Sequence, residues 1–89
     1  MKIIKVVYNK KSSFIIDIIN KFEDTAIISY FDTDFIKDKK KARPLQTDYG
    51  TTQVPLVIFE DENQKGYAAI YSENDPDWEK EIIKYLKYI

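Results

Sequence analysis

The sequence predicts a small α/β domain in the element order βαβαββα, with helices covering both faces of a partly parallel sheet. Three features carry that prediction: a nearly continuous apolar run close to the N-terminus, a helical repeat leading into a second such run, and a proline set directly before a third. With 89 residues and 44% hydrophobic content the chain can fill one core and not two, so 1–89 is read as a single domain.

Ile3, Ile4, Val6, Val7 and Tyr8 lack the alternation of a half-solvated strand and fit a central strand covered on both faces. Asn9 to Ser13 is polar. Phe14, Ile15, Ile18, Ile19 and Phe22 then recur at helical spacing, with Asp17, Asn20, Lys21 and Glu23 on the other face and Ser12 or Ser13 as the expected N-cap. Ala26 to Phe31 is a second strand, which completes a right-handed βαβ unit with parallel strands.

Between Asp32 and Asp48, Asp34 is the expected cap of a helix running through Lys41, with Pro44 breaking it or opening a new turn. Leu56 to Phe59 is the third strand, Asp61 to Gly66 a polar hairpin loop and Tyr67 to Tyr71 the returning strand. Asp75 caps and Pro76 opens the last helix, whose apolar stripe is Trp78, Ile82, Ile83, Leu86 and Ile89. No internal repeat or linker divides the chain.

The absence of cysteine and histidine excludes disulfides, thiol chemistry, zinc sites of the usual ligand type and histidine acid-base catalysis. Lys5 lies inside the first apolar run, Lys10 and Lys11 follow it, and no small-residue cleavage site comes after, so the N-terminus does not read as a signal peptide. No apolar run has the length of a bilayer span, and the expected location is the cytoplasm. Abundant Lys, Ile, Asn and Tyr point to an AT-rich genome, such as that of a low-GC bacterium or its phage.

Pro55 cannot donate to a sheet ladder, so it belongs at the first position or the edge of the third strand. An X-Pro bond is also where a cis peptide costs least. A cis Val54-Pro55 bond would turn the chain sharply and leave the Val54 backbone open to pairing with an extended peptide. Tyr49-Gly50, Val54-Pro55 and the strand Leu56 to Phe59 together resemble the thioredoxin and glutaredoxin superfamily, and the βαβαββα order extends the resemblance over almost the whole chain.

The resemblance implies a glutaredoxin-type, four-stranded mixed sheet of spatial order 2-1-3-4, with the third and fourth strands antiparallel. It places the family's CxxC motif at Lys11-Ser12-Ser13-Phe14-Ile15-Ile16. There Ser12 or Ser13 takes the place of the nucleophilic cysteine, and an isoleucine falls near the second. Dithiol exchange cannot run on these residues. Ser72-Glu73-Asn74-Asp75 stands where glutaredoxins carry a glycine pair, which argues against glutathione binding.

The expected partner-binding residues are Ser12, Ser13, Phe14, Gln53, Val54 and Pro55, with no catalytic residue, cofactor or metal site. Two readings stand for the serines: a relic nucleophile with Lys10 or Lys11 as base, or a helix cap. Two stand for Gln53 to Pro55: a live peptide-binding edge, or a turn the fold needs in any case. Lys37, Lys39, Lys40, Lys41 and Arg43, offset by Asp38, give one segment +4 in a chain of formal charge −1, so the remainder carries −5. A solvated loop or helix face, an acidic protein partner and a nucleic acid, in that order, account for such a patch, which has no interleaved aromatic residues.

Asp61 to Gly66 begins like a calcium loop, but Lys65 and Ser72 stand where ligands belong, so it reads as a turn. Tyr85 and Tyr88 flank the last helix's stripe as core edge or partner surface. The functional expectation is a redox-inactive module that binds another protein through an extended segment. The alternative is an accessory of a redox system that binds glutathione or another thiol ligand.

Overall fold

The first apolar run forms strand β1, Lys2–Tyr8, and its neighbours on both sides explain why it is apolar on both faces. β2, Ala26–Asp32, pairs with it in parallel, Val6 opposite Tyr30. β3, Leu56–Glu60, pairs on the other side and antiparallel, Val7 opposite Leu56, and β4, Gly66–Ile70, pairs antiparallel with β3. The sheet order is β2-β1-β3-β4. The computed structural model describes residues 2–61 and 66–88. Part of the expected hairpin turn, Ile89 of the last stripe and the side chain of Tyr88 lie outside that description.

One face of the sheet carries the larger core. Ile4, Val6, Val57 and Phe59 meet Ile15, Ile18 and Ile19 from the first helical segment and Ile82 and Leu86 from the last. The other face is smaller: Val7, Leu56 and Ile58 pack under Ala42, with Leu45 and Val54 at the margin. Each fully buried aliphatic side chain contributes about 1.5–3 kcal/mol relative to exposure. Lys5, midway along β1, forms an ion pair with Glu60 at the end of β3, at 3.2 Å.

The helices differ in detail from the sequence expectation. The first segment is a 3-10 helix, Lys10–Ile15, running into α1, Ile16–Asn20, and its N-cap is Asn9 rather than Ser12 or Ser13. The Asn9 side chain accepts from the Ser12 N–H at 3.0 Å, and the Ser12 hydroxyl accepts from the Asn9 N–H at 2.9 Å. This reciprocal pair is a capping box, and Ser12 is its third helical position.

Helix α2 spans Ile36–Asp48, so Pro44 neither ends it nor opens a new turn. A proline deprives the carbonyl four residues earlier of its donor, and here that residue is the exposed Lys40, where water can substitute. Asp34 does not cap α2; Phe35 holds the N-cap position without a side-chain bond. Asp34 is drawn away because its Oδ2 accepts from the Lys10 N–H at 3.0 Å, tying the β2-α2 turn to the head of the first helical segment.

The last helix, α3, spans Trp78–Tyr88, starting later than Pro76. Asp75 instead closes the preceding turn, its Oδ1 accepting from the Asp77 N–H at 2.9 Å. β4 ends at Ile70, and Tyr71, expected in the strand, follows it as a buried residue whose N–H reaches the Pro55 carbonyl at 3.4 Å.

Candidate functional site: the junction of the proline loop and the first helix

Because β1 and β3 are antiparallel neighbours, the chain leaving Tyr8 lies beside the chain entering Leu56. A groove of about 520 Å³ follows this junction, with Ser12, Phe14, Gln53, Val54 and Pro55 in its walls. The fold thus brings five of the six expected partner-binding residues to one groove; Ser13 stands just outside it, exposed. Pro55 is fully buried and Val54 half-buried, and the peptide bond between them is cis.

The main chain entering the strand is sparsely bonded. The Gln53 N–H donates to Thr51 Oγ1 at 3.0 Å and the Pro55 carbonyl accepts from Tyr71, whereas among the described residues neither the Val54 N–H nor its carbonyl has a partner. The head of the first helical segment is different. The amides of Asn9, Lys10 and Ser12 all donate to groups within the chain, so they do not form an open anion-binding ring. Phe14 is half-buried, packed edge-on against Trp78 with ring centroids 4.8 Å apart.

Neither serine is arranged as a nucleophile. Ser12 is buried and its hydroxyl donates to Asn9, while the Ser13 hydroxyl donates to the Lys10 carbonyl at 3.2 Å. Among the described residues no lysine ammonium meets either hydroxyl, so the capping role accounts for this segment.

No protein-family model and no curated protein matches the chain. Among solved structures it is similar to a DsbH oxidoreductase, at a TM-score of 0.59 and 13% identity over 99% of this chain and 74% of that one. It is also similar to a thioredoxin from Thermus thermophilus, at a TM-score of 0.56 and 10% identity over 97% of this chain and 71% of that one. The fold is thioredoxin-like. Identities this low show the architecture and not the activity.

A thioredoxin-like chain without cysteine has no thiolate to attack a disulfide, so its own residues carry out no dithiol exchange. Among the described residues no helix is long and apolar enough to cross a membrane, and no group of three or more carboxylates is placed to hold a metal ion.

The basic side chains of α2 fall into two sets. Lys37, Lys39, Lys40, Lys41 and Arg43 are all exposed on α2, but only Lys39 and Arg43 line a second groove, of about 750 Å³, that begins at Val54. Asn9, Asp34, Thr51 and Thr52 also line it and are not among the site residues expected from the sequence, which marks Asp34 only as a helix cap. The spacing of Asn9 and Ser12 was the available signal, since Asn is as good an N-cap as Ser.

Proposed function

We infer that this chain is a redox-inactive thioredoxin-like module, without enzymatic activity of its own, that holds an extended segment of another protein along the edge at Thr52 to Pro55. The observation that supports the reading is the main chain of Val54, a half-buried residue beside a groove, which has no partner among the described residues. An open backbone donor and acceptor beside a groove pair readily with another main chain, and that pairing keeps them satisfied once the partner covers them. A peptide strand laid antiparallel there forms ladder bonds with Val54 and rests an apolar side chain on Phe14.

This use of the edge needs no reactive side chain, which suits a chain that has none. The partner touches the junction before it touches the basic segment. Main-chain pairing sets its register, whereas the exposed lysines add only long-range attraction.

The test is binding of the protein that co-purifies at low salt to two variants, Val54→Pro, which removes the backbone donor, and Ser13→Lys, which crowds the helix head. Each is first checked for intact folding by near-UV circular dichroism. The expected result is weaker binding by both, with no response of the parent to reduced glutathione. Parent-like affinity in both variants would mean that the edge is only a feature of the fold. Saturable glutathione binding would point instead to a thiol-ligand accessory.

A further inference from the structure

Val54 stands in the walls of two grooves, the junction groove and the one under Lys39 and Arg43. Successive side chains of an extended strand point to opposite faces. A segment paired with Val54 therefore directs one set of side chains toward Phe14 and the alternate set toward α2. We propose that the α2 groove selects an acidic side chain, Asp or Glu, in the bound segment; this rests on the peptide-edge reading above.

The chemistry of the groove wall is the reason. Lys39 and Arg43 are one helical turn apart, so they rise from the same face of α2. Among the described residues neither has a carboxylate within ion-pair distance. Asp34 is the carboxylate in this wall, and its Oδ2 is engaged by the Lys10 N–H at 3.0 Å. The hydroxyls divide in the same sense. Thr33 and Thr47 donate to the carbonyls of Tyr8 and Arg43, but Thr51 accepts from Gln53 and keeps its hydrogen, and Thr52 has no partner among the described residues.

Two cations and two free hydroxyl donors thus converge on a groove whose wall has a net charge of +1. That complement matches one carboxylate. It is too small for a polyanion track, and no aromatic side chain lines it for a base to stack on. The Asn9, Lys10 and Ser12 amides at the helix head are already bonded, so an anion finds more donors here than there. The contacts are solvent-exposed, which sets the expected preference at roughly three- to fivefold over a neutral side chain and makes it fade with salt.

The test is capture of a degenerate peptide library on the immobilised parent, on Val54→Pro, on the groove variant Lys39→Gln with Arg43→Gln, and on the control Lys37→Gln with Lys40→Gln. The expected outcome is enrichment of Asp or Glu at one position, roughly three- to fivefold over the input, on the parent and the control. The groove variant should lose the enrichment while still capturing more peptide than Val54→Pro does. Capture that depends on Val54 but shows no acidic position overturns this inference and leaves the peptide edge standing. Capture no greater than that of Val54→Pro overturns both. Equal loss of enrichment in the control overturns the groove in favour of general attraction by α2, as does tighter binding of a single-stranded oligonucleotide than of the enriched peptides.

Discussion

Tyr71 is 5% exposed, and among the described residues its hydroxyl has no hydrogen-bond partner. A buried, unpaired hydroxyl opposes folding, and burial also pushes its pKa up. Tyr71→Phe keeps the ring against the core and removes the oxygen, so it should leave stability unchanged or raise it by up to about 1 kcal/mol in urea denaturation. A loss larger than that would show that the hydroxyl is bonded.

Tyr30 behaves differently because its hydroxyl is satisfied, donating to Asn20 Oδ1. Burial first, and then the charge of Glu23 with smaller effects from Tyr8 and Asp17, push its pKa from 10.0 up to about 12. The fold therefore favours the neutral phenol. Its contribution is complete below pH 10, the unfolded value, and is lost as pH rises through about 12. Tyr30→Phe cannot titrate, so its stability should fall less steeply than the parent's across that interval. Parallel curves for the two proteins would exclude the effect. Sequence reading left Tyr85 open between core edge and partner surface, because periodicity does not say what lies across from a ring. Its stacking on Tyr67 at 4.4 Å and on Phe59 at 5.7 Å, with a 2.9 Å bond between the Tyr67 and Tyr85 hydroxyls, places it at the core edge.

Among the elements, the four strands were legible as apolar runs between polar breaks, and their spatial order followed from the resemblance to the thioredoxin and glutaredoxin superfamily. Helix ends were less so. The caps expected at Ser12 or Ser13 and at Asp34 each had a local competitor, Asn9 and the Lys10 amide, whereas the Asp75 carboxylate does accept from the Asp77 N–H and only the start of α3 lies later, at Trp78. The α2 C-terminus is the contrasting case. Gly50 has φ +64°, its N–H bonds the Thr47 carbonyl at 3.1 Å, and the Thr51 N–H bonds the Gln46 carbonyl at 3.0 Å. These two bonds form a Schellman motif, which gives the Tyr49-Gly50 pair a structural role: it ends α2 and turns the chain toward Pro55. A Cβ on Gly50 would meet nothing within 4 Å, so substitution there is costly for backbone reasons alone. Gly50→Ala should lower stability by roughly 1 kcal/mol and Gly50→Asn by less, since Asn tolerates the left-handed region. Equal losses would point to side-chain crowding instead.

Over the whole molecule, the sheet order determines what meets at the candidate site, and that order could be inferred before any side-chain geometry. The second groove could not, because it joins Asn9, the β2-α2 turn and the end of α2 across distant parts of the chain. Charge is distributed just as unevenly, and its effect on stability follows from two opposing terms. Lys37, Lys39, Lys40 and Lys41 are exposed, and Lys37 repels Lys40 and Lys41 across one turn of α2, each such pair costing about 0.2–0.5 kcal/mol. Replacing all four with glutamine relieves that repulsion but takes the formal charge from −1 to −5, which adds self-repulsion over the whole surface. The terms nearly cancel, so the melting temperature should move by no more than about 3 °C, the shift expected for about 0.5 kcal/mol in a domain of this size. Lowering the ionic strength lengthens the screening distance and strengthens the whole-surface term relative to the short-range one. The variant should therefore lose more stability than the parent on transfer from physiological to low salt. A drop well beyond about 3 °C at physiological salt would mean that lysine stems of α2 pack against the fold.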